Sequence, residues 1–123
     1  MQIPTFHDGG FEGFRLGSDK QVQLYLTTGE RESFVLMLEG VELLTLTDIR
    51  EGNIIFDLVI RSGHALTVSD IEYVYGIPNT PTDAGRLLKA AVDKGLQLLE
   101  INPSYGAEGM VLFRTWKLQP QSD

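Results

Sequence analysis

The chain contains no cysteine, which removes disulfides, thiolate nucleophiles and cysteine-based zinc sites together. Histidine is scarce, with 2 residues in 123, too few for a metal centre built on several histidines. Lysine and arginine number 10 against 17 aspartates and glutamates. No basic stripe is visible, which argues against binding a phosphate backbone, so no nucleic-acid partner is expected. Long apolar runs are also missing: the longest are about five residues, where a membrane-spanning helix needs about 20. Met1 to Thr5 shows neither the basic region nor the apolar run of a signal peptide. These absences fit a cytoplasmic protein with no membrane association, no metal and no cofactor.

What is present is a dense set of strand patterns in one domain spanning residues 1–123. Gln21–Thr28 alternates strictly and places Val22, Leu24 and Leu26 on one face. Phe11–Gly17, with Phe14 and Leu16 as anchors, Glu32–Glu39, Val41–Leu46 and Ile54–Arg61 supply further strands, separated by Gly- and Asp-rich turns. The apolar phase slips between Leu43 and Leu44, as a bulge or bend would produce. Ile54, Phe56, Leu58 and Ile60 form one face of their strand, with Asp57 and Arg61 on the other. The spacing leaves no room for crossover helices, so these strands read as an antiparallel meander.

After Ser62 the pattern changes. Ser69-Asp70-Ile71-Glu72 has the spacing of a capping box and favours a short helix to about Tyr75, stopped by Gly76 and Pro78, over the strand that the alternation of Ile71, Tyr73 and Tyr75 would also allow. Thr80 as N-cap and Pro81 at the first position open a longer helix to Lys94-Gly95. Its apolar stripe is Leu87, Leu88, Ala91 and Val92; Arg86, Lys89 and Asp93 face water. Leu96–Ile101 and Met110–Leu118 then form a C-terminal β-hairpin around the Asn102–Gly109 loop. The fold class is α+β: a curved antiparallel sheet of about five to seven strands with two helices. One helix face cannot cover both sides of such a sheet, so the Asp57/Arg61 side is partly wet or is a binding side.

Catalytic patterns are weak. The adjacent His7-Asp8 pair, with His64, supplies a hydrolase or mononuclear metal alternative, but the spacing matches no ligand motif. The simpler reading is that His7 and Asp8 bond the backbone where the sheet begins. Ser69 is better explained as a helix cap, and Ser104 lacks a nucleophile-elbow context. Gly9-Gly10-x-x-Gly13 precedes a strand, not a helix, and cradles no phosphate. Charge offers more: Glu30, Glu32, Glu39, Glu42, Glu51 and Asp57 lie in the strand region, and their excess suits a basic protein partner. Tyr105, in the loop, is a candidate anchor for such a partner, and Trp116 reads as core. A small-ligand pocket on the curved sheet is a second alternative.

Three short segments carry a resemblance. Phe6-His7-Asp8, then Leu38-Glu39-Gly40-Val41-Glu42-Leu43-Leu44, then Gly52-Asn53-Ile54-Ile55 resemble small bacterial immunity-type proteins that neutralise polymorphic toxins. The resemblance covers about residues 4–60. It implies a non-enzymatic cytoplasmic inhibitor that binds a toxin domain, and it carries over no catalytic residues.

Overall fold

Eight strands and two helices follow from these patterns in a computed structural model that describes residues 5–76 and 81–121. The strands are β1 (Gly10–Leu16), β2 (Val22–Thr27), β3 (Ser33–Glu39), β4 (Leu43–Thr47), β5 (Asn53–Ser62), β6 (Gln97–Tyr105), β7 (Glu108–Phe113) and β8 (Thr115–Pro120). The helices α1 (Val68–Tyr75) and α2 (Pro81–Asp93) lie between β5 and β6. The class is α+β, and all strands join one antiparallel sheet in the order β4-β7-β6-β5-β1-β2-β3-β8. The strand beyond the expected five to seven arises because Met110–Leu118 is broken at Arg114 into β7 and β8.

That break shapes the fold. β7 and β8 are separated by one residue, yet they sit near opposite edges of the sheet. Such a connection is possible only if the sheet rolls over, with one bent strand passing from one layer to the other. β4-β7-β6-β5 forms one layer and β1-β2-β3-β8 the other. They meet at two residue pairs, Gly10↔Ile54 and Phe11↔Asn53, and at the Arg114 corner, whose N–H donates to the Glu39 carbonyl at 2.9 Å. Between the layers lies the main core, where Leu24, Leu36, Leu38, Leu99, Ile101, Val111 and Phe113 are fully buried. Each such side chain is worth about 1.5–3 kcal/mol of burial.

The meander expected from sequence extends only through β1-β2-β3. At Gly40 the chain adopts φ +66°, and a Cβ there would press on the Arg114 side chain at 2.8 Å. Glycine thus allows the chain to leave β3 and cross to β7, where β4 pairs in unbroken register from Leu43↔Leu112 to Thr47↔Glu108. The phase slip at Leu43/Leu44 is therefore no bulge. Leu44 packs on the main core while Leu43 turns to a second core beneath the helices, so β4 is apolar on both faces. Phe14 and Leu16 are in register with Leu24 and Val22, but β1 leaves β5 after Phe11, and they stand 40% and 65% exposed.

The helices cover the outer face of the first layer. Leu66, Ile71, Val74, Ala84, Ala91, Leu96, Leu98 and Leu112 are buried together there. The short helix forms as expected, but its cap is Thr67, not Ser69: Thr67 Oγ1 accepts from the Asp70 N–H, and the Asp70 carboxylate accepts from the Thr67 N–H at 2.8 Å. Gly76 closes it in the left-handed conformation. Thr80, the expected cap of the second helix, lies outside the described residues. α2 packs chiefly on α1 rather than directly on the sheet, which shifts its buried stripe towards Ala84 and Ala91 and leaves Val92 exposed.

One polar network fastens α1 to the sheet. Arg61, on β5, makes a two-pronged pair with Asp70 at 2.7 Å on each arm, reaches the Ala65 carbonyl at 2.6 Å, and donates through Nε to Glu100 at 3.1 Å. Burial alone would raise the Asp70 carboxyl, but the hydrogen bonds from Arg61 and Thr67 outweigh it and hold the group below the ordinary aspartate value. The Arg61 guanidinium is pushed up, first by its bond to Asp70.

The helical layer can be tested at two points. Leu88→Ala, at a half-buried position, should cost about 1–2 kcal/mol in a urea titration, while Val92→Ala should stay within about 0.5 kcal/mol. Asp70→Asn should lower stability at neutral pH by about 2–3 kcal/mol, through loss of the charge pair in a partly exposed setting. Because the folded-state pKa of Asp70 is depressed, its contribution is complete above the unfolded-state value. It disappears as pH falls through the folded-state value. The stabilities of the wild type and the Asp70→Asn variant should therefore converge in acid, and a constant gap would contradict the pairing.

Candidate functional site

Four turns meet at the end of the roll where the two layers join. They are Phe6–Gly9, Thr28–Glu32 between β2 and β3, Asp48–Gly52 between β4 and β5, and Gly106-Ala107 between β6 and β7. The Phe6 ring is buried and packs edge-on against Phe34 at 6.0 Å. From that anchor the chain turns back onto β5: the Asp8 N–H donates to the Ile55 carbonyl at 2.9 Å, and the Ile55 N–H donates to the Gly9 carbonyl at 2.8 Å. A Cβ at Gly9 would collide with the Thr27 carbonyl oxygen, so this close crossing requires glycine.

The His7-Asp8 pair belongs to this crossing. His7 Nδ1 hydrogen-bonds the Phe56 carbonyl at 2.9 Å, its ring stands edge-on to Phe56 at 5.4 Å, and Nε2 lies 3.5 Å from the Asp8 carboxylate. Asp8 adopts φ +63°, a turn conformation that aspartate tolerates better than most residues. Both side chains are more than half exposed. His64 lies beyond the far end of β5, roughly 20 Å away at about 3.3 Å of strand per residue. Among the described residues, no group of three or more His, Asp or Glu side chains could hold a metal ion. The structure therefore separates the three residues of the metal alternative.

Asn53 knits the turns together. Its side chain is buried; Oδ1 accepts from the Arg50 N–H at 2.8 Å and the Ala107 N–H at 2.9 Å, and Nδ2 donates to the Phe11 carbonyl at 3.2 Å. One amide thus binds the β4–β5 turn, the β6–β7 turn and the first strand of the other layer. The expected eight-residue loop is mostly strand, because β6 runs on to Tyr105 and only Gly106-Ala107 turn.

Acidic groups concentrate on these turns. Asp8, Glu12, Glu30, Glu32, Asp48, Glu51 and Glu108 lie at this end, with Arg31 and Arg50 as the accompanying arginines, and so carry most of the formal charge of −7. The six acids expected to act together are divided. Glu30, Glu32 and Glu51 belong here, whereas Glu39 and Glu42 lie at the opposite end. There Lys117 approaches Glu39 at 3.7 Å, and Lys20 and Lys94 approach Glu42 at 3.9 and 3.8 Å. Asp57 sits on the outer face of β5 and accepts from Asn102 Nδ2 at 2.7 Å. Its supposed companion Arg61 points into the helical network, so the Asp57/Arg61 side is covered at one end and bare at the other.

On the bare part of that outer face, Ile54, Phe56 and Tyr105 are 42%, 52% and 49% exposed. Ile54 and Tyr105 are cross-strand partners, and the Arg50 guanidinium lies 5.9 Å above the Tyr105 ring. This overturns the reading that placed Ile54 and Phe56 on one core face with Leu58 and Ile60. Register shifts between Ile54 and Ile55 and between Ile55 and Asp57 change the phase. Ile55 and Leu58 then point inward, and Ile54 and Phe56 point out. Beside Ile54 is an open notch of about 380 Å³, lined by Asp8, Glu12, Arg31, Asn53 and the backbone of four glycines. The space between the two layers is filled by the main core.

Neither a protein-family model nor a curated protein nor a solved structure matches this chain. No helix among the described residues is long and apolar enough to cross a membrane.

Asn53→Ala should cost about 2–4 kcal/mol in chemical denaturation, since it leaves two N–H groups and one carbonyl without their buried partner. Backbone amide exchange should rise at Arg50 and Ala107 first. An unchanged exchange rate at both would show that the amide does not hold the turns.

Proposed function

We propose that this protein is a non-enzymatic protein-binding module that engages a basic partner through the acidic turn end. The observation that carries the reading is the division of charge. Carboxylates gather on three of the four turns and on the strand ends beside them, with one buried amide tying the β4–β5 and β6–β7 turns to β1, while the acids of the opposite end face lysines. Charges exposed on a rigid rim guide a partner of opposite sign and set its orientation. The resemblance of Phe6-His7-Asp8 and Gly52-Asn53-Ile54-Ile55 to immunity-type proteins supports a more specific form of the reading. In that form the protein is bacterial, acts in the cytoplasm and neutralises a basic toxin domain. His7 and Asp8 then serve to seat the N-terminal turn on β5, and no catalytic residue is assigned.

The test is to purify this protein with any basic protein encoded beside its gene and to measure complex formation. If the specific form is right, co-expression also rescues growth from that neighbour's toxicity. Neutralising Glu30, Glu32 and Glu51 together (to Gln) should slow association about tenfold at low salt and flatten its salt dependence, with dissociation changing less. Neutralising Glu39 and Glu42 should leave association within about twofold. Equal effects from the two sets would remove the turn end from the reading.

A further inference from the structure

We infer that Ile54, Phe56 and Tyr105 form the anchoring strip of that interface, and that its occupant is a partner segment bearing apolar side chains flanked by lysine or arginine. The inference rests on the binding-module reading but adds the contact surface and the chemistry of what covers it.

Three apolar or aromatic residues stand about half exposed on adjoining strands. The helices bury the same face farther along, at Leu98 and Leu112, so this part of the sheet is bare where its continuation is covered. The His7 ring packs edge-on against Phe56, and Tyr105 lies beneath the Arg50 guanidinium. Side chains fixed in this way lose little entropy when a partner closes over them. An apolar centre within a charged rim is the usual anatomy of a specific interface.

The rim decides the occupant. Asp8 and Glu12 share a notch with Ile54 and Arg31, Glu51 lies in the turn leading into β5, and Asp57, which accepts from Asn102, follows Phe56 directly; with Arg50 over Tyr105, these four carboxylates still outnumber the two arginines. A segment whose apolar side chains cover the strip would place neighbouring cationic side chains against these carboxylates. Self-association through the strip would instead set two acidic rims against each other. An anionic lipid surface would meet the same repulsion.

The experiment uses the full chain, isotopically labelled, titrated with two probes: the basic neighbour-encoded protein, and a synthetic peptide alternating lysine with phenylalanine. A glutamate–phenylalanine peptide is the charge control. Ile54→Ser/Phe56→Ser removes the strip at exposed positions, and Leu16→Ser removes an exposed apolar residue elsewhere. Amide shift changes should centre on Ile54, Phe56 and Tyr105. The double variant should weaken both probes at least tenfold, mainly through faster dissociation, and Leu16→Ser should change neither. Thermal melting of the variants confirms that each is folded; should the double variant unfold, Tyr105→Ser is read in its place.

If the neighbour binds the wild type but the folded strip variants bind it equally well, the strip is wrong and the module reading stands. Binding of the glutamate peptide as tightly as the lysine peptide, or a concentration-dependent dimer that the double variant abolishes, overturns the assigned occupant. If the wild type binds neither basic probe, the module reading falls and this inference with it.

Discussion

The two layers of the sheet are joined along β1 and β5 by only two residue pairs, and the buried amide of Asn53 makes that seam hold. Two backbone pairings are a weak joint for layers that must face each other across a dry core. Asn53 adds three hydrogen bonds at the same point, each worth about 0.5–1.5 kcal/mol net and more to lose than to form. Among the described residues it is also the one side chain that hydrogen-bonds the first strand, the β4–β5 turn and the β6–β7 turn together. Without it the Phe6–Gly9 turn would still be bonded to β5, but the β4–β5 and β6–β7 turns would lose the side chain that ties them to each other and to β1. Asp8 is set against Ile54 by the backbone bonds of Asp8 and Gly9 to Ile55, and Asn53 adds the fixed positions of the Glu51 turn and the turn after Tyr105.

The opposite end is joined differently. There the chain itself passes between layers at Arg114, and Gly40 supplies the left-handed turn that lets β3 give way to β4. Covalent continuity needs no polar keystone, and the acids near this end face lysines at 3.7–3.9 Å. Such exposed pairs contribute little to stability. Their consequence is local neutrality, which leaves the seam end as the acidic end of the molecule. The Arg61 network does a third job by orienting α1 through its first turn, so that the helices cover β6 and β7 and stop short of Ile54.

Much of this fold was legible in the sequence where a local rule met no competition. The strict alternation of Val22, Leu24 and Leu26 comes through unchanged, and the helix begins at Pro81 as expected, although its buried stripe shifts towards Ala84 and Ala91. The acidity was legible as a composition and not as a surface, because strands that adjoin in sequence can end at opposite poles. Three features depended on partners distant in the chain. β4 looked bulged because both of its faces are covered, one by the main core and one by the helices. The capping box fitted Ser69 by spacing, but Arg61, nine residues before Asp70, pairs with that carboxylate while it caps at Thr67. Ile54 and Phe56 fitted a core face because Ile54-Ile55-Phe56 is apolar in every phase, and only the register against β6 decides which residue turns inward. Asn53 itself carried no local sign of being buried, since asparagine after glycine is an ordinary turn pair.

The phase change in β5 bears on function through its energetics. Turning Ile54 and Phe56 outward forgoes burial worth about 1.5–3 kcal/mol for each when complete. Gathering carboxylates on neighbouring turns adds repulsion that the opposite end avoids. Either feature alone could be a tolerated accident of packing. Both fall at the same end, beside the side chain that fixes the turns most firmly, and the glycines there hold the backbone close enough to leave an open notch. A folded domain selected only for stability would be expected to spread such costs or remove them by single substitutions. Their coincidence on a rigid platform is what a binding surface requires: groups left unsatisfied in the free protein and satisfied when a basic, apolar-tipped partner arrives.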